Sequence, residues 1–163
     1  MSERKTQSLY DRSFDRDSCG FGLIANLDDK ASHWVVETAI TALARLTHRG
    51  AVAADGKTGD GCGLLIKFPE TFMRSVATEL DIRLADEFAA GTVFLSQDDS
   101  LAARVRAEIE TALGDYGLDV AGWRDVPVDP SVCGDMALRT LPRIEQVFVN
   151  APEDMQRGSF NRR

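Results

Sequence analysis

The stretch Ser18-Cys19-Gly20-Phe21-Gly22-Leu23-Ile24-Ala25 restricts the fold more than any other part of the chain. A cysteine opens a short apolar run, and glycines follow it at alternate positions. Side chains in a strand alternate between faces, so Gly20 and Gly22 share one face and leave it bare. Another group can then approach the backbone beside Cys19 closely. Cys19 to Leu27 reads as a buried strand, closed by the turn Asp28-Asp29-Lys30. Before it, Met1 to Ser18 carries Arg4, Lys5, Asp11, Arg12, Asp15, Arg16 and Asp17. This leader lacks the apolar centre of a secretory signal. A frayed terminus accounts for it on composition, and a segment removed from the front of Cys19 is the alternative.

The chain has 163 residues, enough for one domain with a core. A net charge of −7 and the lack of a basic block argue against nucleic acid or an anionic membrane as main partner. The three cysteines, Cys19, Cys62 and Cys133, are an odd number at wide spacings, and only His33 and His48 could join them at a metal. Neither a disulfide framework nor a zinc site is indicated. Free thiols suit a reducing compartment, which points to the cytoplasm. No stretch reaches transmembrane length.

Ser32 is placed to cap a helix over 33–47, whose apolar stripe is Val35, Val36, Ala39, Ile40, Leu43 and Leu46. That helix packed on the first strand makes the first expected unit. Gly50 stops the helix, and Arg49 suits the negative end of its dipole. The stretch 52–63 follows with four glycines and two aspartates, and reads as a loop with unusual backbone angles. Leu64 to Phe68 leaves it as a strand. Pro69 starts a second helix, with Phe72, Met73, Val76, Ala77 and Leu80 on its apolar stripe.

Ala89 to Leu95 is the next strand. Asp98 or Asp99 caps a third helix whose buried face is Leu101, Ala102, Val105, Ile109, Ala112 and Leu113, with Arg104, Arg106, Glu108 and Glu110 on its wet side. Gly114 and Gly117 flank its end. Leu118 to Val128 is extended, 129–142 irregular, and Glu145 to Val149 the last strand. The pattern is mixed α and β, an α+β class with no spacing that demands a parallel sheet.

A lone cysteine beside an apolar run is ordinarily a small buried hydrophobe. Cys19 has one further chemical option. Cutting the bond after Ser18 frees its α-amine, whose pKa is about 7.7–8.0. One residue then holds both a nucleophilic thiol and a general base. Arg49 reads by default as a dipole partner, and functionally as a forked anchor for a carboxylate. His48 reads as structural. The tract 56–63 is neither a dinucleotide fingerprint nor a phosphate loop, because its spacing is wrong and it precedes a strand. It reads as a tight turn that shapes a site wall. Cys62 and Cys133 read as packing residues.

Taken together, Cys19-Gly20-Phe21-Gly22, then a helix, His48-Arg49-Gly50 and Ala54-Asp55-Gly56-Lys57-Thr58-Gly59-Asp60-Gly61-Cys62-Gly63 resemble the start of a class II glutamine amidotransferase domain. The leader and the glycine loop are similar to those of the glutamate synthases within that family. Gly122-Trp123-Arg124-Asp125-Val126-Pro127 and Pro142-Arg143-Ile144-Glu145-Gln146-Val147 extend the resemblance, which runs from about Leu9 to the end.

The resemblance implies an N-terminal-nucleophile hydrolase fold, a four-layer αββα sandwich incomplete in this chain. It implies a propeptide, 1–18, removed to expose Cys19, with 19–163 the N-terminal part of the domain. Cys19 would be the catalytic nucleophile on the side-chain amide of L-glutamine, and Arg49 a substrate-binding residue. Ammonia would pass to a distant site, where 2-oxoglutarate becomes glutamate. FMN and an iron–sulfur cluster are implied for those later domains and none for this segment. An electron-donating small subunit or a ferredoxin is the implied partner. The family's oxyanion-hole Asn-Gly pair and its amine-holding acidic residue have no matching positions here.

Two other readings compete. A truncated, non-catalytic module would bind a partner through unpaired strand edges. A redox sensor would use Cys19 with Cys62 as resolving thiol.

Overall fold

The computed structural model describes residues 20–46 and 50–152. The chain divides into two units, one formed by the residues up to 53 with 59–65, the other by 54–58 with the residues from 66 onward.

In the first unit, helix α1 spans His33–Ala44, and Ser32 precedes it in extended backbone without a side-chain capping bond. The expected helix ran to 47, but the chain leaves it after Ala44, where the Arg45 N–H is shared between Thr41 O and Ala42 O. Val35, Val36, Ala39 and Leu43 are half-buried, Ile40 is exposed, and no residue of α1 is buried.

The expected strand from Cys19 to Leu27 is not formed over its described residues. Phe21, Leu23 and Leu27 are 93%, 88% and 99% exposed. A strand exists only when a neighbour takes its N–H and C=O groups, and no described strand pairs with this one. The turn after it does form. Asn26 organises it, accepting from Asp28 N–H at 3.0 Å and donating to Lys30 O at 3.1 Å, while Asp29 adopts φ 51°.

The expected strand from Leu64 to Phe68 is likewise irregular, and Leu65 is 100% exposed. Apolar runs of this length fit a strand, but they do not supply the partner that makes one.

The second unit holds the core. Helix α2 (Glu70–Glu79) starts after Pro69, and Val76 and Ala77 are buried on its inner side. Strands β1 (Phe88–Leu95), β2 (Asp119–Asp125) and β3 (Arg143–Asn150) form one antiparallel sheet in the order β1-β3-β2. The last strand is therefore the central one. Glu145, Gln146, Val147, Phe148 and Val149 are all buried, and β3 has a paired neighbour on each edge.

Val76, Phe88 and Phe148 form the core cluster, joined by Met73, Ile82, Leu84, Ala90 and Ala121. Burying a side chain such as Phe148 completely stabilises the fold by about 1.5–3 kcal/mol. The Phe68 ring meets Phe88 edge-on at 5.5 Å. Arg74 lies 4.6 Å over the Phe88 ring and donates to Ala85 O and Asp86 O, which ties α2 to the entry of β1. Strand β2 carries an irregularity between Val120 and Gly122. A Cβ on Gly122 would come within 3.0 Å of Ile82 Cγ1, so glycine lets the core close there.

Helix α3 (Asp99–Asp115) packs on β1 and β2. Of the two expected caps, Asp98 is the one used. Its carboxylate accepts from Ser100 N at 2.9 Å and Leu101 N at 3.0 Å. The Ser100 hydroxyl and these N–H groups hold Asp98 below the usual carboxylate range. Gly117, at φ 70°, ends the helix in the left-handed region.

The expected wet side of α3 needs correction at one position. Arg104, Glu108 and Glu110 are exposed, Glu110 accepting from Trp123 Nε1 at 2.7 Å, but Arg106 turns inward to form a two-pronged ion pair with Glu145 on β3. Leu101, expected to be buried, is 42% exposed. The stretch 129–142, expected to be irregular, contains a 3-10 turn at Pro130–Val132 and a one-turn helix α4 at Asp135–Leu138.

The result is a mixed helical and antiparallel-sheet fold, in line with the α+β expectation. Among the described residues there is one sheet, where a sandwich has two.

Candidate functional site

Cys19, Arg49 and His48, the residues expected to carry chemistry, lie outside the described residues, as does the leader. The residues next to Cys19 are described. Gly20 and Phe21 are exposed, and a Cβ on Gly22 would meet nothing within 4 Å. The backbone at Gly22 is thus open, though without a strand the two glycines do not share a face.

Within the first unit, the glycine tract is held at its start. Val52 and Gly59 form an antiparallel bridge. Ala51 N–H donates to Asp60 Oδ2 at 2.9 Å, and Asp60 N–H returns to Ala51 O at 3.2 Å. A Cβ on Gly59 would sit 3.2 Å from Ala51 O, tighter than side chains ordinarily allow. Gly61 and Gly63 have no such neighbour. Cys62 between them is exposed, so it is not the packing residue expected. Cys133 is half-buried.

Within the second unit, 54–58 is organised by one carboxylate. Asp55 Oδ1 accepts from Lys57 N at 3.1 Å and Thr58 N at 2.8 Å. Its Oδ2 accepts from the Thr58 hydroxyl at 2.5 Å and from Met136 N at 3.2 Å. Thr58 Oγ1 accepts in turn from Ala137 N at 3.3 Å. The Thr58 hydroxyl, followed by the Thr58, Lys57 and Met136 N–H groups, holds Asp55 far below the usual carboxylate range against a small opposing effect of burial. Asp55 is therefore a fixed negative charge at neutral pH. Gly56, at φ 71°, makes the turn between donor and acceptor.

Met136 and Ala137 are in the first turn of α4. The loop thus caps a helix that lies 81 residues away at Met136 and 79 away at Ala137. Gly134 has no room for a side chain. A Cβ there would lie 2.6 Å from Thr58 N and against Asp55 Oδ2 and Thr58 Oγ1. The short spacing Asp55 to Thr58 is a legible signal for an Asx turn. The partnership with Gly134 has no signal in the sequence.

Among the described residues, no three His, Cys, Asp or Glu side chains gather as metal ligands. The described residues therefore do not fit an iron–sulfur cluster. No described helix is long and apolar enough to cross a membrane.

Comparison with known proteins bears on these same residues. The profile of the family described as class II glutamine amidotransferases matches residues 19–163. The chain belongs to the class II glutamine amidotransferases.

This amidotransferase sequence is 35% identical over 160 residues to the glutamate synthase [NADPH] large chain of Bacillus subtilis, covering 98% of this chain and 10% of that one. It is 41% identical over 150 residues to ferredoxin-dependent glutamate synthase 1 of Arabidopsis thaliana, covering 90% of this chain and 9% of that one. It is 39% identical over 146 residues to the glutamate synthase [NADPH] large chain of Azospirillum brasilense, covering 88% and 10% respectively. The amidotransferase chain spans about a tenth of the length of these relatives.

Proposed function

We propose that this chain is part of the glutamine-hydrolysing domain of a glutamate synthase, with Cys19 as nucleophile. The observation that carries the reading is the family match that begins on Cys19 itself. The relatives named as glutamate synthases give it its direction.

In this reading residues 1–18 are removed, and Cys19 presents a thiol and a free α-amine. The thiolate attacks the side-chain amide carbon of glutamine. Its proton passes by way of the α-amine to the departing ammonia. Water then cleaves the thioester, releasing glutamate and restoring the thiol. Arg49 holds a carboxylate of the substrate through its forked donors.

The open backbone at Gly22 suits this role, since a substrate must come against the backbone near the thiol. The full sandwich completes a second sheet beyond the one described. FMN and an iron–sulfur cluster sit in other parts of the enzyme, where 2-oxoglutarate is converted to glutamate. A small subunit or a ferredoxin supplies electrons, and the compartment is the cytoplasm.

The test is to treat the full-length protein carrying this sequence with 6-diazo-5-oxo-L-norleucine, a glutamine-like electrophile, and map the peptides by mass. The reading expects a mature N-terminus at Cys19 with the adduct on that residue, and none in Cys19→Ser. A retained leader together with an unmodified Cys19 overturns it.

A further inference from the structure

We propose that the outer edge of β1 is an interaction surface, and that it takes a further strand of the same polypeptide, from the part of the full-length protein beyond residue 163. This surface is independent of Cys19 and of the amidotransferase reading.

The two edges of the sheet differ in kind. Strand β2, at one edge, carries Asp119, Arg124 and Asp125, a register irregularity between Val120 and Gly122, and Pro127 just past its end. Charges, bulges and prolines are the features that keep an exposed edge from pairing. Strand β1, at the other edge, reads Phe88-Ala89-Ala90-Gly91-Thr92-Val93-Phe94-Leu95. It has no charge, no proline and no irregularity, and it pairs with β3 over all 8 residues.

Its outward backbone groups follow from the ladder. Ala151 N–H donates to Glu87 O at the start of the pairing. Hydrogen-bonded and non-bonded pairs alternate in an antiparallel ladder. Ala89, Gly91, Val93 and Leu95 therefore turn their N–H and C=O groups to β3, and Phe88, Ala90, Thr92 and Phe94 turn theirs outward. Ala89, Gly91, Thr92 and Phe94 are exposed. Among the described residues no strand pairs along that side. A long, uncharged, largely apolar edge is a template for pairing.

The topology favours an occupant from the same chain. Strands β1 and β2 both run antiparallel to β3, so they are parallel to each other, and α3 joins them across the sheet. This is a split β-α-β unit with β3 as its inserted strand. Phe88 faces Asn150, so β3 ends where β1 begins. A strand antiparallel to β1 on its outer side starts at the Leu95 end and runs parallel to β3. To reach that start, the chain after β3 travels back along the sheet by about 25 Å. A parallel connection of this kind takes a crossover of a dozen or more residues. The outcome is a β-α-β-β-α-β arrangement with every neighbouring pair antiparallel. The relatives have the length for it, since this chain spans about a tenth of them.

The test uses the full-length protein and two measurements. The first is amide exchange over 88–95, read by mass spectrometry. The outward amides of Ala90, Thr92 and Phe94 should exchange about a hundredfold more slowly than amides open to water, as paired ones do. An open edge leaves only the alternate amides facing β3 slow. The second places p-benzoyl-L-phenylalanine at position 94 for photo-crosslinking, a small change at an exposed phenylalanine. Irradiation should join it to a peptide beyond residue 163 of the same polypeptide, in a yield that dilution does not alter. Exchange of the outward amides at the rate of open ones overturns the proposal. So does a crosslink between two copies, to another protein, or to any other peptide of this chain.

Discussion

Arg106→Ala should be among the costlier single changes in the second unit. Arg106 Nε donates to Glu145 Oε2 at 2.6 Å, and Arg106 Nη2 pairs with Glu145 Oε1. The Glu145 side chain is 2% exposed, and the Arg106 side chain 31%. The Glu145 interaction, first by hydrogen bond and then by charge, raises the Arg106 pKa, with smaller help from Asp125 and Asp99. Removing the guanidinium leaves a carboxylate inside the sheet, with those acidic neighbours still present.

Deleting one partner of a buried pair costs about 3–5 kcal/mol, against about 0.2–1 kcal/mol for an exposed pair. The exposed side of Arg106 lets water reach the gap, so we expect the lower end, about 3 kcal/mol. At about 2–4 °C per kcal/mol for a chain of this size, that lowers Tm by roughly 6–12 °C. The assay is urea and thermal unfolding of the 163-residue chain, followed by the fluorescence of its two tryptophans, Trp34 and Trp123.

The paired variant Arg106→Met with Glu145→Leu should lie within about 1 kcal/mol of wild type, since an apolar pair carries no desolvation cost. A loss below about 1 kcal/mol for Arg106→Ala would refute the buried-pair argument. So would a double variant as unstable as the single one.

Phe148→Ala empties the centre of the core, where Phe148 is 0% exposed, and should cost about 3–5 kcal/mol by the same unfolding assay. The Asp55 link to α4 should depend on pH in one direction. Asp55 is held below its ordinary value of 3.8 in the folded chain, so the unfolded chain takes up the proton first. The stability that the link contributes is therefore complete above that value and is lost as pH falls below it towards the lowered folded-state pKa, where the link itself is protonated. The amide shifts of Met136 and Ala137, followed by NMR on acidification, should move together, and in Asp55→Asn they should stay flat.

Much of the second unit was legible because its elements are locally specified. Asp98 sits one residue ahead of α3 and two and three ahead of the N–H groups it caps. The runs Ala89 to Leu95 and Glu145 to Val149 each sit inside an observed strand. The strands expected from Cys19 to Leu27 and from Leu64 to Phe68 share the same apolar character, yet they remain irregular over their described residues. Composition marks a segment as willing to be a strand. Only a neighbour with matching N–H and C=O groups makes it one. The candidate site was legible as an order of motifs that names a family, from Cys19 through Arg49 to Gly63.

By itself the sequence determined which residues prefer helix, which prefer strand and where the turns fall, because those choices depend on neighbours a few positions away. It also determined the family, through motifs at set spacings. The tertiary structure decided partners. It placed the last strand at the centre of the sheet and turned Arg106 inward to Glu145, 39 residues away. It carried Asp55 and Thr58 to the start of α4. A charged side chain on a helix looks the same in sequence whether it meets water or a buried carboxylate. Topology decides which, because a buried charge persists only where a partner from elsewhere in the chain is brought to it.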